Sequence, residues 1–454
     1  MIGWTLRGNI QATTGDAVVR SDVSSPVVVV TVAAVALVSV LLVAVNGSLV
    51  GDGSLYLLKA VQLGQPFPLP GRQVLNAVRE GPLLLGLTSG ITNMHLLTVL
   101  EGVGFVLLPA LAWTYALVRA RRSRLQFMVV SVSCALCFAP MILFSVSELT
   151  LALPLVVLAS VLLTSATPWS GPDSFLVVLA TGLLILSHQS IVPCAVLLTI
   201  QALLRMRARL SVQDSRVSAV VAVLATGAAV AAVWTIVYRP NSNSTAFLAN
   251  VEDVWHSSMA LLMVGAAFLV GWAALFGRVH YGPWIRWVLL APAAYFTVVG
   301  IGAAIHGGPE AAYASRGFCV IVVVAAQVAL FADWFRLRRP HAIGATYRWS
   351  MGAAWGACVF CVAVMIIPTV CALRWSAVMG QFRTTITHHT GTVSADAVES
   401  PLAASYLWPW TNPLLSLAVR SSADDAVVAN SAPFASITVQ SAGIVVPPAY
   451  RWGK

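Results

Sequence analysis

The sequence predicts an all-α polytopic membrane protein with about 11 transmembrane helices, and composition, apolar run length and arginine placement carry that prediction. Of 454 residues, 59% are hydrophobic and only 9% charged, with a mean hydropathy of +0.86. Soluble domains carry about a quarter charged residues. Several apolar runs reach the roughly 20 residues that a helix needs to cross a bilayer. Backbone in hydrocarbon must satisfy its own hydrogen bonds, so long Val/Ala/Leu runs without alternation favour helices over a barrel. Arginines gather in short connections: Arg119, Arg121, Arg122 and Arg124; then Arg205, Arg207, Arg209 and Arg216; then Arg336, Arg338, Arg339 and Arg348. Positive charge marks cytoplasmic loops in this way. The net charge of +10 therefore reports topology rather than nucleic-acid binding.

Residues 1–25 are polar and predict a cytoplasmic N-terminal segment without a cleavable leader. Spans are expected at about 26–45, 96–118, 126–145, 149–165, 174–187, 190–204, 218–237, 258–277, 287–305, 316–334 and 349–370. Together they form a membrane domain over 26–370. Two outside segments remain: a first loop over 46–95 with amphipathic stretches, and a small C-terminal segment over 371–454. Loops of such length usually serve a function. Amphipathic pieces such as "LNAVREGPLLLGL" often lie flat at the membrane surface. The Ala/Val-rich, Arg-over-Lys composition points to a bacterial cytoplasmic (inner) membrane.

Cys134/Cys137 and Cys358/Cys361 have CxxC spacing inside apolar helices. Zinc or redox chemistry needs a polar, accessible site, so these pairs read as helix packing. "GVG" and "GIG" within spans read as close helix contacts. No phosphate-binding loop, dinucleotide fingerprint, GxSxG or HExxH motif occurs.

Charge near lipid is expensive, so each carboxylate there is a functional candidate. Asp52 follows the first span between Gly51 and Gly53, with Tyr56 four residues on. It also stands where a helix N-cap would. Glu148 lies in the short outside turn between the third and fourth spans, and His188 in the turn between the fifth and sixth. "IHGGPEAAYASRGF" brings Glu310 and Arg316 to the mouth of the tenth span. A guanidinium there suits a phosphate or pyrophosphate, or it snorkels to a lipid headgroup. Glu101 and Asp333 sit within apolar spans, each near an end.

This layout resembles the GT-C superfamily of polytopic membrane glycosyltransferases: one span, then a long outside loop with an acidic residue just past that span. "NAVREGPLLLGLTSGITNMHLLTVLEGVGFVLLPALAWTYALVRARR" and "WTNPLLSLAV" resemble bacterial membrane proteins related to these transferases. Where the superfamily often pairs two acidic residues, Asp52 here stands alone between glycines. The resemblance implies transfer of a sugar from a polyprenyl-phosphate donor to a lipid, glycan or protein acceptor by inverting displacement. Asp52 would be the base and Glu148 a second acidic residue of the catalytic set, with Tyr56, His188, Glu310 and Arg316 binding substrate. A divalent metal, Mg or Mn, would assist. A lipid or glycan transporter (flippase) and a non-catalytic partner in envelope polysaccharide assembly are the competing expectations.

Overall fold

The computed structural model describes residues 22–68, 72–144, 147–208, 210–238, 257–276, 283–338, most of 350–430 and scattered positions up to 452. The expected cytoplasmic segment lies almost entirely outside the described residues. The described chain is all-α apart from one two-residue strand pairing. Among the described residues, seven helices are long and apolar enough to cross a membrane, and three shorter apolar helices accompany them.

Helix α1 (Ser25–Ala44) opens with Pro26, whose missing N–H is one that a first turn leaves unpaired anyway. Its Val28, Val35 and Leu42 are buried while Leu37 is 71% exposed, as is Val223 far along the chain. So much exposed aliphatic surface suits lipid rather than water. After α1 come α2 (Gly53–Leu63) and α3 (Gln73–Thr88). A continuous span follows, built from α4 (Met94–Gly102), a π-helical segment (Val103–Leu107) and α5 (Leu108–Ala120).

The glycines of "GVG" are packing positions. Gly102 sits against Val43 of α1, and a Cβ at Gly104 would overlap the carbonyl oxygen of Arg79 on α3. Of the later "GIG", Gly300 lies against Leu262, whereas Gly302 faces open space.

Helices α6 (Arg124–Phe144), α7 (Leu149–Leu163), α8 (Gly171–Gly182), α9 (Val192–Ala208) and α10 (Val212–Tyr238) continue the bundle. The first two arginine clusters meet at one end of it. Arg119 pairs with Asp173 at 2.7 Å, and Arg122 donates to Thr167 at 3.1 Å. Arg205 reaches the carbonyls of Ser165 and Thr167 in the same connection. Ser123 donates to Asp333 at 3.0 Å, which brings the approach to the third cluster to that end as well. Arg209, Arg339 and Arg348 lie outside the described residues.

Helix α8 spans only 12 residues, about 18 Å at 1.5 Å per residue. Turns over 183–187, with Leu186 in a left-handed conformation (φ 55), complete the path from the arginine end at Asp173 to His188 at the other.

The expected outer turn between spans 287–305 and 316–334 is helical. One helical run, α12, covers Pro283–Arg338, 56 residues, which as a straight rod would measure about 84 Å. Its contacts show that it doubles back. Gly300 meets Leu262 and Thr297 meets Gly265, so the first part runs antiparallel to α11 (Ser258–Phe276). Cys319 meets Cys137 and Asp333 meets Ser123, so the last part runs antiparallel to α6. Pro309 has no N–H to offer the carbonyl of Ile305, and Arg374 Nη1 fills that acceptor at 3.1 Å.

Helices α13 (Met351–Val364) and α14 (Ile366–His388) form the last crossing. The expected boundary at 370/371 falls inside α14. Trp375, Val378, Met379, Phe382 and Ile386 recur every three or four residues and are buried, so this part of the expected tail is an amphipathic helix. Trp375 Nε1 donates to the Asn46 carbonyl at 3.1 Å. Beyond it, β1 (Thr392–Val393) pairs in parallel with β2 (Val427–Val428). All eight residues of α15 (Asn412–Val419) are buried, and the helix packs on α2. All seven cysteines are buried and unbridged. Reciprocal contacts of Cys137 and Cys319 to backbone carbonyls tie α6 to α12, so the packing expectation fits their setting.

Candidate functional site

The end of the bundle opposite the arginine clusters collects the chain's isolated polar residues. Asp52 occupies the N-cap position of α2, but its φ/ψ of −69/−8 is helical and its side chain makes no cap hydrogen bond. A capping carboxylate needs an extended residue to fold back on the first N–H groups, and Asp52 does not have that conformation. The preceding Gly51 takes a φ of 60, the left-handed turn that glycine permits, and delivers the chain into α2 at this angle. The Asp52 Oδ1 is buried with no hydrogen-bond partner. Burial pushes its pKa up to about 6; the nearby Arg316 guanidinium opposes that rise and Glu148 adds to it.

One turn along α2, Tyr56 donates its hydroxyl to Glu148 Oε1 at 3.4 Å. Its ring meets Phe67 and Phe105 edge-on, with centroids 5.6 and 5.7 Å away. Glu148 is fully buried and receives two arginines from the first loop. Arg72 Nη1 lies 3.1 Å from Oε2, and Arg79 Nη1 lies 3.6 Å from Oε1. The Arg79 guanidinium rests 3.8 Å above the Phe105 ring. The π-helical segment presents that ring, and the bare Cα of Gly104 lets the α3 backbone come close enough to use it. Such single-turn π segments recur at functional sites.

Helix α3 buries its charged residues together with Leu75 and Leu83. Its Asn76, Arg79 and Glu80 are buried while Leu85 is 70% exposed, so the polar side faces the protein. Glu80 accepts from the Phe67 N–H at 2.7 Å and from Asn76 at 2.9 Å, which pins the "PFP" loop to α3. Burial raises its pKa to about 7 against those two donors.

His188 is buried and caps a short 3-10 turn, its Nδ1 accepting from the Ser190 N–H at 3.1 Å. That bond puts the proton of the neutral ring on Nε2. Burial first, then Arg72 and Arg316, hold its pKa well below the ordinary histidine value. Thus the fields of Arg316 and Glu148 reach Asp52, and those of Arg72 and Arg316 reach His188. Asp52, Tyr56, Glu148, His188 and Arg316 gather at one end of the bundle. The backbone of Glu310 lies in α12, but its side chain is outside the described residues.

The two functional candidates that the sequence alone did not single out are Arg72 and Arg79. The available signal was an adjacent Arg79–Glu80 pair in a chain with so few charges. Glu101 is a further buried carboxylate, on α4, with the Ser48 hydroxyl as its polar neighbour.

Among the described residues no three His, Cys, Asp or Glu side chains gather as metal ligands. Asp52 and Glu148 do not make a divalent-ion site, because both oxygens of Glu148 already face guanidiniums. A small apolar crevice with room for about one water is lined by Trp113, Phe138, Ile142, Leu149 and Leu153 among others. No family model, curated protein or solved structure matches the chain.

Proposed function

We propose that the chain is a GT-C-type membrane glycosyltransferase of a bacterial cytoplasmic membrane. It would cross about 11 times from a cytoplasmic N-terminus and act on the outer face. The collection of the arginine-bearing connections at one end of the bundle supports this orientation. The substrate is a polyprenyl-phosphate-linked sugar, and the acceptor an alcohol of a lipid, glycan or protein.

The observation that carries the reading is Asp52: a half-buried carboxylate that caps nothing, with a pKa of about 6, near the Arg316 guanidinium and the Glu148 carboxylate. A base is most effective with a pKa near the working pH. In the reaction the acceptor oxygen attacks the anomeric carbon as its proton passes to Asp52. The bond from that carbon to the phosphate oxygen breaks on the opposite face, inverting the centre and releasing polyprenyl phosphate. Arg316, Arg72 and Arg79 meet the charge that grows on the leaving phosphate, and the Nε2–H of His188 supplies a neutral donor. Glu148 and Tyr56 hold the two loop arginines in place. No step is assigned to a metal, since the carboxylates present do not suit one.

Asp52→Asn keeps the shape and removes the base. Transfer of radiolabelled sugar to envelope acceptors in membranes is expected to fall by about 10²–10⁴-fold. Transfer at the wild-type rate by a folded variant would end the assignment. A transport reading has one observation behind it, the fully buried carboxylate of Glu101 on a span-length apolar segment. Loss of lipid flipping in reconstituted vesicles on Glu101→Gln, with Asp52→Asn silent, would favour it.

A further inference from the structure

Arg79 is 0% exposed, and none of its guanidinium nitrogens has a hydrogen-bond partner among the described residues. Buried donors are almost always satisfied, and a charged one left without an acceptor is costly. Its counter-charge, Glu148, is equally buried and loosely held. The carboxylate is shared among Arg79 at 3.6 Å, Arg72 at 3.1 Å and a long hydroxyl contact from Tyr56 at 3.4 Å. Glu148 stands at the head of α7 yet makes no capping bond there, so its side chain is committed to the cations rather than to the helix. A planar carboxylate supplies one charge and two oxygens. A phosphate monoester supplies up to about two charges and three strong acceptor oxygens. It would satisfy more of the orphaned N–H groups than the glutamate does.

We propose that Glu148 is the resident stand-in for a phosphate monoester: it neutralises Arg72 and Arg79 while the seat is empty, and the ligand displaces it. The inference rests on the transferase reading only for the ligand's identity. Binding then competes with an internal anion, which lets a weakly hydrated, buried seat exist without a permanently unpaired charge. Release is assisted in turn, because Glu148 returns to the arginines as the phosphate leaves.

The test titrates farnesyl phosphate, farnesol and inorganic phosphate into the purified full-length chain in uncharged detergent micelles. Wild type is compared with Glu148→Gln and with Glu148→Gln/Arg79→Gln, the double variant leaving neither member of that pair as an unpaired charge. Close charge pairs couple strongly enough that Glu148→Gln is expected to bind farnesyl phosphate about tenfold more tightly than wild type. The double variant is expected to lose the preference for farnesyl phosphate over farnesol. Equal competition by inorganic phosphate supports the stand-in role and assigns the seat to free phosphate. Glu148→Gln binding as wild type or more weakly overturns the inference alone, since Glu148 would then merely position the arginines. No preference for the phosphate in any of the three proteins removes the seat altogether, and the donor assignment with it.

Discussion

Arg205 and Arg79 begin alike and end differently. Both are fully buried, and both lie over an aromatic ring, Trp169 at 4.1 Å and Phe105 at 3.8 Å. Arg205, at the arginine end, donates to the carbonyls of Leu163, Ser165 and Thr167 and pairs with Asp214 at 2.8 Å. Asp214 is itself held by Ser211 and by the Trp169 N–H. Arg79, at the opposite end, has one ion pair at 3.6 Å and no hydrogen bond. A guanidinium that closes a loop is saturated by that loop. One left short of acceptors, with a shared carboxylate as its ion-pair partner, has room in its bonding for something that arrives.

The contrast is most exposed to failure in stability measurements. Arg205→Met strips Asp214 of its cation in a buried setting, which typically costs about 3–5 kcal/mol. Arg79→Met leaves Glu148 still paired with Arg72, and replacing a poorly satisfied buried charge by an apolar side chain is often close to neutral, within about 1 kcal/mol. Thermal unfolding in detergent separates the two; equal losses would break the comparison.

A smaller effect is expected at the backbone contact beneath Arg79. Gly104→Ala drives a methyl into the Arg79 carbonyl, and overpacking of this kind costs about 1–3 kcal/mol. Gly302→Ala, with nothing near its Cβ position, is the control and should be neutral or slightly stabilising. If both variants unfold alike, the close approach of α3 is not what sets Arg79 in place.

The smallest effect concerns Asp52 and pH. Its folded pKa of about 6 lies above the ordinary 3.8, so the folded chain holds that proton more tightly than the unfolded chain does. Carrying the charge therefore lowers stability as pH rises from about 4 to about 6, and the cost is fully present above that. Asp52→Asn should melt above wild type at pH 7.5, with the gap closing towards pH 4. The same ionisation makes wild-type transfer fall as pH drops below about 6. Wild type melting above Asp52→Asn at pH 7.5, with that difference shrinking in acid, would instead place Asp52 in a satisfied pair.

The bundle itself was legible because lipid leaves few options: apolar runs became helices, and the first two arginine clusters went to one end. Gly102, Gly104 and Gly300 also read correctly as packing positions, and the buried cysteines fit that reading, whereas Gly302 was expected to pack and faces open space. Arg72 and Arg79 were not legible. Whether "NAVREG" turns its charges outward or inward is decided by Gly104 and Phe105, some 25 residues later, and no local periodicity contains that information. The 283–338 run was read as two spans, 287–305 and 316–334, with a non-spanning connection between them. There Arg374, from a helix read as tail, supplies the Ile305 carbonyl with a donor. Asp52 was legible as a candidate but not as uncapped, because both roles begin with an aspartate before a helix.

The packing of α15 on α2 bears on how the protein is made. Lys59 of α2 donates to the Gly443 carbonyl at 3.3 Å, and His95 meets Trp452 with ring centroids 4.8 Å apart. The segment that bears Asp52 leaves the ribosome early, yet its covering helix is translated some 350 residues afterwards. During synthesis the nascent chain must shelter the side of α2 that α15 covers elsewhere, so the end of the bundle that bears Asp52 is among the last parts to mature.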